Sequence, residues 1–297
     1  MKLEETRINC QIPCLELVAE GNAEVPPESF SRQFKLAVRR CLGPVRERTF
    51  KNYSNDRINR FCELRGKTKK PPVLPSKMPS KRLQKGDRVR VRSLEEIEVT
   101  LNHWKQVKGC TFMPEMAQYC GTTQRVLKSM KKFVDERDYR IKKSSGIILL
   151  EGVMCQGTSD FGSCDRSCFH FWREEWLEKF DEPSVSTENF SSKKPHGNDW
   201  LRVRSLKEIE ATLDHRKQVK GCTFMPEMVK YCGTTQRILK PMKRFVDERD
   251  LRVKKSTGII LLDGVMCQGE ADSGSCDRAC FYFWRDEWLE KVNEKSL

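Results

Sequence analysis

A repeat constrains this chain more than any other feature of its sequence. Residues 89–180 recur as residues 201–292, shifted by 112 positions without a gap, and 71 of the 92 aligned pairs are identical. A unit of this length exceeds the units of helical solenoids and is close to the size of a small domain. Because so small a unit buries little surface, a metal ion or a partner is a natural supplement to its stability.

The repeat divides the chain into four segments. Residues 1–86 form a basic N-terminal region that ends in a linker rich in proline and lysine, and residues 87–181 form repeat domain 1. Residues 182–199 form a second linker, rich in Ser, Pro, Gly and Asn, and residues 200–293 form repeat domain 2. We expect the linkers to be extended and each repeat domain to hold its own site.

Most of the positive charge lies before the repeats. Residues 1–86 hold 19 Lys and Arg against 9 Asp and Glu, which is +10 of the total of +14. Such charge attracts polyanions, so nucleic acid is a possible partner through residues 32–86, with a solvated flank as the competing interpretation. The aromatic residues there suit either a base-stacking platform or the core of a small helical region. They are Phe50, Tyr53 and Phe61, which interleave with Lys51, Arg57 and Arg60.

The beginning of the chain is polar and lacks the apolar stretch of a signal peptide, and no stretch reaches the length of a membrane span. We therefore expect a cytoplasmic protein without membrane contact. In a reducing compartment, the 14 cysteines favour metal binding or plain burial over a disulfide framework.

Within each repeat, the residue pattern predicts short strands and turns. Residues 88–92 alternate strictly, which indicates a strand with Val89 and Val91 facing inward. Ser93 and Glu96 have the spacing of a capping box at the start of a helix. The expected fold class is mainly β with helical additions (α+β), in small barrels that follow a basic, partly helical N-terminal region.

Further elements follow from the same patterns. Residues 26–29 predict the start of a helix that Gly43-Pro44 ends. Residues 112–116 predict a loop with one helical turn, and residues 144–146 predict a turn between strands. Residues 169–180 predict a terminal helix with Glu174 and Glu175 on its solvated face. Its apolar stripe, expected in the core, comprises Phe169, Trp172, Trp176, Leu177 and Phe180.

Two patterns in the repeat resemble known proteins. The first resembles the opening of SH3-like barrels, of which the β subunit of nitrile hydratase is a familiar example. It runs Gly86-Asp87-Arg88-Val89-Arg90-Val91, then Phe112-x-Pro114-Glu115-Met116-x-x-Tyr119-Cys120-Gly121, then Arg125-Val126. The second resembles a group of uncharacterised bacterial cysteine-containing proteins that tend to lie beside genes for polysaccharide or natural-product assembly. It runs Glu151-Gly152-Val153-x-Cys155, then Cys164-x3-Cys168, then Phe171-Trp172-Arg173-Glu174-x-Trp176-Leu177.

The resemblance covers both repeats and not residues 1–85. It implies two tandem SH3-like barrels, and it carries no chemistry with it, because fold alone does not name a ligand or a reaction.

Five cysteines recur in each repeat, and four of them are candidate zinc ligands. Cys155, Cys164 and Cys168 lie close together in polar, glycine-containing sequence, where loops can fold thiolates around one ion. Cys120, which precedes a glycine, is the candidate fourth ligand. Cys110 competes for that place, although burial as a small hydrophobe explains it better. The prediction is two structural zinc ions, held by Cys120, Cys155, Cys164, Cys168, Cys232, Cys267, Cys276 and Cys280.

The same cysteines admit other interpretations. Buried or reactive thiols and an iron–sulfur cluster compete with zinc, and Cys222 competes with Cys232 as a ligand. The cysteines outside the repeats fit scattered burial better than a third metal site. They are Cys10, Cys14, Cys41 and Cys62.

No catalytic motif is present in the sequence. A nucleophile elbow, a phosphate-cradling glycine loop and H-E-x-x-H are all missing. His103 and His215 recur between the repeats and are expected to be ordinary surface histidines. The balance therefore favours a protein that is not an enzyme, without deciding the question.

Three functions are consistent with these observations. The first is a non-enzymatic, zinc-stabilised tandem binding or scaffold module that docks a protein partner, with two equivalent domains giving bivalent contact. The second is a nucleic-acid-binding protein that uses the basic N-terminal region. The third is an accessory enzyme or redox protein of a biosynthetic pathway that uses the cysteines. The identity of the partner and the oligomeric state do not follow from the sequence.

Overall fold

A computed structural model describes residues 10–24, 30–64, 82–157, 164–180, 200–269 and 276–292. The linker predicted between the repeats lies outside these ranges, as does most of the linker before repeat domain 1. None of the described helices is long and apolar enough to cross a membrane.

The N-terminal region contains a short helix α1 (Cys14–Leu17) and a long helix α2 (Phe30–Leu64). The helix predicted to end at Gly43-Pro44 instead kinks there, because Gly43 takes φ 67° and ψ 170°, a conformation open essentially to glycine alone. A second helical stretch then continues to Leu64. Along the first part of this helix Leu36 is 7% exposed, whereas Phe30 and Phe34 are 86% and 64% exposed.

Repeat domain 1 is built from short strands around one five-stranded antiparallel sheet. Its elements are β1 (Arg88–Val91), α3 (Leu94–Glu98), β2 (Gln106–Val107), β3 (Cys110–Thr111), a 3-10 turn (Pro114–Tyr119), β4 (Thr123–Val134), β5 (Ile141–Leu150), β6 (Trp172–Arg173), a 3-10 turn (Glu174–Trp176) and β7 (Leu177–Lys179). The strand order in the sheet is β6-β5-β4-β1-β7, and β2 and β3 form a separate hairpin.

Repeat domain 2 has the same architecture. Its elements are β8 (Trp200–Val203), α4 (Leu206–Glu210), β9 (Gln218–Val219), β10 (Cys222–Thr223), a 3-10 turn (Pro226–Tyr231), β11 (Thr235–Pro241), β12 (Arg244–Asp247), β13 (Arg252–Lys255), β14 (Ile259–Leu262), β15 (Trp284–Arg285), a 3-10 turn (Asp286–Trp288) and β16 (Leu289–Lys291). The sheet order β15-β14-β11-β8-β16 matches that of repeat domain 1, and β12 pairs with β13.

One substitution between the repeats accounts for their main difference. Ser129 lies inside the continuous strand β4, whereas its counterpart Pro241 ends β11. Proline has no N–H to donate to a ladder, so the equivalent of β4 is split into β11 and β12. The turn predicted at residues 144–146 is wrong for repeat domain 1, where β5 runs through it, while a break does occur at the matching place between β13 and β14.

Several local predictions are confirmed. Val89 and Val91 are fully buried on β1, and the capping box of Ser93 and Glu96 is formed. Residues 114–119 form the helical turn as a 3-10 helix.

The predicted terminal helix at residues 169–180 is wrong, because β6, a 3-10 turn and β7 occupy it. Its core assignment is confirmed for Trp172 and Trp176, which are fully buried with Phe112 packed edge-on against both, 6.3 and 5.4 Å between ring centroids. A 3-10 turn between two strands therefore brings inward two residues whose spacing of four also suits a helix.

The fold class of each repeat is mainly β with helical additions, as predicted. Register shifts between Val126 and Lys128 and between Met130 and Lys132 bend β4. No pairing closes the sheet among the described strands, which leaves β6 and β7 as its edges. The closed barrel of the SH3-like prediction is not seen there.

The two repeats interlock through reciprocal contacts. The Asp165 N–H donates to the carbonyl of Arg244 (2.8 Å), and the Asp165 carboxylate accepts the N–H groups of Lys243 and Arg244 (3.0 and 2.9 Å). Asp277 makes the same three bonds to residues 131–132 of repeat domain 1. The interface is therefore isologous, as in a two-fold symmetric dimer.

Buried charge lies at the centre of this repeat interface. Glu136, 3% exposed, pairs with Arg166 of its own repeat (2.6 and 2.7 Å) and Arg278 of the other (2.8 Å). Burial alone would raise the pKa of Glu136, but the two guanidinium groups outweigh it and lower the pKa to about 2. Phe169 and Phe281 stack beside the cluster, 6.5 Å between centroids. The repeats are thus packed as one body, not as separate modules on a linker.

Candidate docking face

Residues 10–24, which we call the N-terminal segment, lie on repeat domain 2. Ile12, Leu15 and Val18 are 4%, 5% and 4% exposed and belong to the hydrophobic core of that repeat. Their spacing of three residues places them on one side of the short helix α1 and its flanks. That spacing is the signal in the sequence, and sequence reasoning missed it.

The side chain of Gln11 holds the first end of the segment. Its amide nitrogen donates to the carbonyls of Thr223 (2.7 Å) and Phe283 (3.0 Å), and its amide oxygen accepts the Phe283 N–H (2.7 Å). Gln11 is 7% exposed, so these bonds satisfy an amide that burial would otherwise penalise. The receiving groups on Thr223 and Phe283 are backbone atoms, which any residue could supply at those places.

The other end of the segment adds a short strand to repeat domain 2. Glu20 and Ala23 donate their N–H groups to the carbonyls of Lys255 (2.9 Å) and Val253 (2.8 Å). The Lys255 N–H in turn donates to the carbonyl of Gly21 (2.9 Å). This is strand addition at the outer edge of β13, a mode in which backbone bonds supply affinity and side-chain pockets supply specificity.

Between these ends the chain passes directly over Gly221. A Cβ placed on Gly221 would stand 2.6 Å from the Cβ of Leu17 and 2.9 Å from its carbonyl oxygen. Nearby, the Cys14 thiol and the Thr223 hydroxyl are 2.9 Å apart, and Glu16 forms an ion pair with Arg249 (2.5 Å). We call this surface the docking face of repeat domain 2.

Repeat domain 1 presents the same face without the segment. Identical residues stand at the positions equivalent to Gly221, Thr223, Phe283, Arg249 and Lys255. They are Gly109, Thr111, Phe171, Arg137 and Lys143.

Three features show that this second face is less covered by described residues than the first, although Glu47 of helix α2 lies close enough for its charge to act on Arg137. No described atom lies within 4 Å of where a Cβ on Gly109 would stand. Ile141 is 42% exposed, whereas its counterpart Val253, under the segment, is 7% exposed. Within the described residues, the Phe171 N–H has no acceptor of the kind that Gln11 gives Phe283. We call this surface the open docking face.

The predicted zinc ligands are only partly brought together. Cys155 and Cys168 are neighbours, since the Cys155 N–H donates to the Cys168 carbonyl (2.8 Å), and Cys267 and Cys280 repeat that contact. Cys120 lies at the end of the 3-10 turn Pro114–Tyr119. Burial raises the pKa of its thiol, and the charge of Glu95 also raises it.

In the part of the chain that the structure describes, no group of three or more His, Cys, Asp and Glu side chains is arranged to hold a metal ion. The residues as placed therefore do not fit the four-thiolate sites in which Cys120 and Cys232 complete the set. Zinc binding stays a prediction.

A cysteine outside the repeats lies nearer to the repeat thiols than the predicted fourth ligand. Cys10, Cys267, Cys276 and Cys280 line one cavity at the docked end of the N-terminal segment. Cys10 is thus a partly buried residue with thiol neighbours, and its place depends on the docking of the segment. Sequence spacing alone gave no sign of this, because Cys10 and Cys276 meet only through the fold.

Burial makes the thiols poor nucleophiles. It raises the pKa of Cys10 and of Cys110 to about 12, and it also raises the pKa of Cys155 and Cys267. Burial raises the pKa of Cys168 as well, although the guanidinium groups of the repeat interface oppose it. A thiol attacks or ligates as the thiolate, so these groups are held in their less reactive form near neutral pH.

The described histidines are two exposed side chains and one buried side chain. His103 and His215 are exposed, as predicted. His170 is 4% exposed, and burial lowers its pKa to about 4, so it is neutral near pH 7. Its counterpart in repeat domain 2 is Tyr282, equally buried, so the position serves packing in both repeats.

Helix α2 forms a second candidate surface. Phe50, Tyr53 and Phe61 are 53%, 57% and 53% exposed, so they are not the core of a helical region. The guanidinium of Arg57 stands 5.2 Å from the centroid of the Tyr53 ring. Exposed rings beside cations suit base stacking.

Comparisons with known proteins do not identify a relative. No family model matches this chain, and no curated protein matches it. The resemblance to SH3-like barrels and to the bacterial cysteine-containing group stays a prediction.

Proposed function

We propose that this chain is a non-enzymatic docking protein that binds a protein partner. The observation that supports this is the N-terminal segment on repeat domain 2. A peptide-like stretch is held there by an amide clamp at one end and a strand addition at the other. A surface that holds one segment in this manner can hold another, because most of the bonds go to backbone atoms.

The duplication strengthens the proposal. Repeat domain 1 carries the residues of the same face and leaves them open. Exposed apolar surface next to an unpaired strand edge is costly for a protein to keep, since it invites association. A partner that covers it accounts for both features.

The fold of the repeats and their metal ion are further parts of the proposal. We propose that the bent sheet of each repeat is an SH3-like barrel, since β6 and β7 are joined by a single 3-10 turn and so lie near each other. We also propose zinc as a structural ion of the thiol clusters. Elemental analysis of protein purified without chelator tests it: two zinc ions per chain support the ion, and none rejects it.

Capture of a partner tests the docking function. The full chain is immobilised, exposed to extract of the source organism with and without nuclease treatment, and washed. We expect a defined protein to be retained in near-stoichiometric amount by the folded chain and not by acid-unfolded chain. Retention of no such protein, or retention that ends when nucleic acid is digested, would overturn the proposal.

A second candidate function rests on a separate observation. Helix α2 exposes Phe50, Tyr53 and Phe61 on a helix that carries 9 Lys and Arg against 3 Asp and Glu. This favours binding of single-stranded nucleic acid by stacking and charge. Replacing Phe50 and Tyr53 by Ala should then weaken oligonucleotide binding by about 1–3 kcal/mol per ring lost, with a steep dependence on salt. Unchanged binding in the double variant would reject this candidate.

The third function, an enzyme or redox protein that uses the cysteines, receives less support. The thiols with a resolved shift are all moved away from the reactive form by burial, and burial also lowers the pKa of His170 to about 4. Activation of a cysteine nucleophile needs a lowered pKa or an adjacent base.

A further inference from the structure

We infer that the open docking face of repeat domain 1 binds an acidic segment of a different protein, in the conformation that residues 10–24 adopt on repeat domain 2. This inference rests on the proposed docking function and names the partner's chemistry. It begins from Gly109, Thr111 and Phe171, which repeat the residues that receive the N-terminal segment in repeat domain 2.

A count of faces and segments excludes a second copy of this chain as the full occupant. Each chain presents two docking faces, while its described part contains one segment that fits them. Chains that exchanged their N-terminal segments would vacate one face for every face they filled. Among the described residues no second such segment is left for the open docking face, so we assign its occupant to another protein.

Charge specifies the kind of segment. Residues 10–24 contain Glu16, Glu20 and Glu24 and no Lys, Arg or His, so the occupant of repeat domain 2 carries three negative charges. Its Glu16 pairs with Arg249, whose counterpart on the open docking face is Arg137, 40% exposed. Each arginine also pairs with an aspartate of its own repeat (Asp247 and Asp135), and the charge of Glu47 acts on Arg137, so the added acid of a ligand would join an existing cluster. Opposite charge across an interface steers encounter and suppresses wrong partners, so an acidic segment is the matching ligand.

The contacts on repeat domain 2 give the pattern of the segment. An amide side chain comes first, to bond the backbone of Phe171 and Thr111 as Gln11 bonds Phe283 and Thr223. A small residue follows three positions later, at the place of Cys14. An acidic residue follows two positions after that, at the place of Glu16. The chain then crosses Gly109 and extends along the outer edge of residues 141–143, which no described strand pairs.

Peptide binding to the full-length chain tests the inference. The probe is a fluorescein-labelled synthetic peptide of residues 10–24, kept reduced and titrated by anisotropy. We expect one peptide to bind per chain. We expect binding to weaken at least tenfold for the peptide with Gln11→Ala, which lacks the clamp, and to weaken in high salt because Glu16 faces a cation.

Glycine substitutions locate the site. Gly109→Asn should weaken binding at least tenfold, because the new side chain stands where the peptide must cross, and asparagine tolerates the positive φ of that residue (80°). Gly152→Asn is the matched control, since Gly152 also has positive φ (70°) with no described atom within 4 Å of its Cβ position. The control should bind as the wild type does.

Two results would overturn the inference. One is no binding of the peptide to the wild-type chain. The other is equal binding to wild type and Gly109→Asn, which would mean that the peptide displaces the N-terminal segment from repeat domain 2. Should Gly109→Asn fail to fold, Ile141→Asp tests the same face at a residue that is 42% exposed, and unweakened binding there overturns the inference equally.

The inference and the proposed function fail separately. A partner captured from extract by a chain that does not bind the peptide would leave the docking function intact and remove this face from it. A chain that binds the peptide but captures no protein would keep the face and remove the function.

Discussion

Two buried glutamates show how single charged residues stabilise this protein. Glu175 is 7% exposed and bonds Arg173 (2.9 Å for each of two contacts) and Lys108 (2.6 Å), and Glu136 bonds two arginines at the repeat interface. The acidic pair Glu174-Glu175 and the helical spacing of the aromatic residues around it predict Glu175 on a solvated helix face. Burial of a charge depends on partners that are distant in sequence, so it could not be predicted from the local pattern.

Acid should destabilise the protein through these carboxylates. Burial alone would raise the pKa of Glu175, but its bonds to Arg173 and Lys108 outweigh burial and lower the pKa from 4.5 to about 2. A group with a depressed folded-state pKa stabilises the fold above its unfolded pKa and loses that effect as the pH falls through the folded value. The contribution of Glu175 to the free energy of unfolding should therefore be flat above about pH 5 and fall between about pH 4.5 and 2, while buried, neutral His170 adds a decline that begins near pH 6.5.

Variants assign this effect. Glu175→Gln should lower the free energy of unfolding at pH 7 by about 3 kcal/mol, because it leaves Arg173 buried without its carboxylate, and it should flatten the acid decline. Glu178→Gln is the control: its pair with Arg90 is partly exposed, so the loss should stay below about 1 kcal/mol. Urea unfolding at several pH values measures both, and equal losses in the two variants would contradict the account.

At the scale of elements, hydrophobic alternation and capping signals predict a strand or a helix correctly where the local residue pattern agrees with the fold. Strand β1 and the capping box of α3 follow from residues 88–96 alone, since alternation and cap spacing are local properties. The element at residues 169–180 was misassigned because a strand, a 3-10 turn and a strand place Trp172 and Trp176 inward as a helix would. The spacing of Ile12, Leu15 and Val18 signals a buried face of the N-terminal segment, but its strand partner, β13, could not be foreseen because it lies more than two hundred residues away.

Docking of the N-terminal segment should depend on the absence of a side chain at residue 221. Gly221→Asn places a Cβ 2.6 Å from that of Leu17, so we expect the segment to leave the face. Loss of the burial of Ile12, Leu15 and Val18 should lower the free energy of unfolding by at least about 3 kcal/mol. Limited proteolysis should then cut within residues 10–24.

The matched variant is Gly109→Asn in repeat domain 1. Its Cβ position is open among the described residues, so the free energy of unfolding should change by less than about 1 kcal/mol and the segment should stay protected. Equal destabilisation by the two substitutions would show that the backbone conformation of these glycines, and not the docked segment, is responsible.

The whole molecule behaves as a pseudo-symmetric pair whose two halves differ in occupancy. Reciprocal bonds of Asp165 and Asp277 join the repeats, and the N-terminal segment breaks the symmetry by covering one docking face. The duplication predicted two equivalent domains, but only the fold shows that they pack against each other. Shared contacts at the interface imply that the repeats unfold together.

Removing one reciprocal contact should therefore weaken both repeats. Asp165→Ala and Asp277→Ala should each lower the free energy of unfolding by about 2 kcal/mol, since each removes charge-assisted bonds to two backbone N–H groups. Calorimetry should show a single transition in both variants. Asp263→Ala, which removes a half-exposed pair with Arg237, is the control and should cost less than about 1 kcal/mol. Two independent transitions in the wild type would contradict the interlocked arrangement.

Hydrogen exchange at two matched lysines tests the central claim most directly. Lys143 and Lys255 each follow a lysine and precede a serine, and they hold the same register against Lys132 and Arg244, so their unprotected amides should exchange at similar rates. Only the Lys255 N–H is bonded to the N-terminal segment, at Gly21. In the free protein we predict that Lys255 exchanges at least about 100-fold more slowly than Lys143. Addition of the peptide of residues 10–24 should slow Lys143 as well. Equal, rapid exchange at both lysines would contradict the account, because it would mean that neither docking face holds a segment.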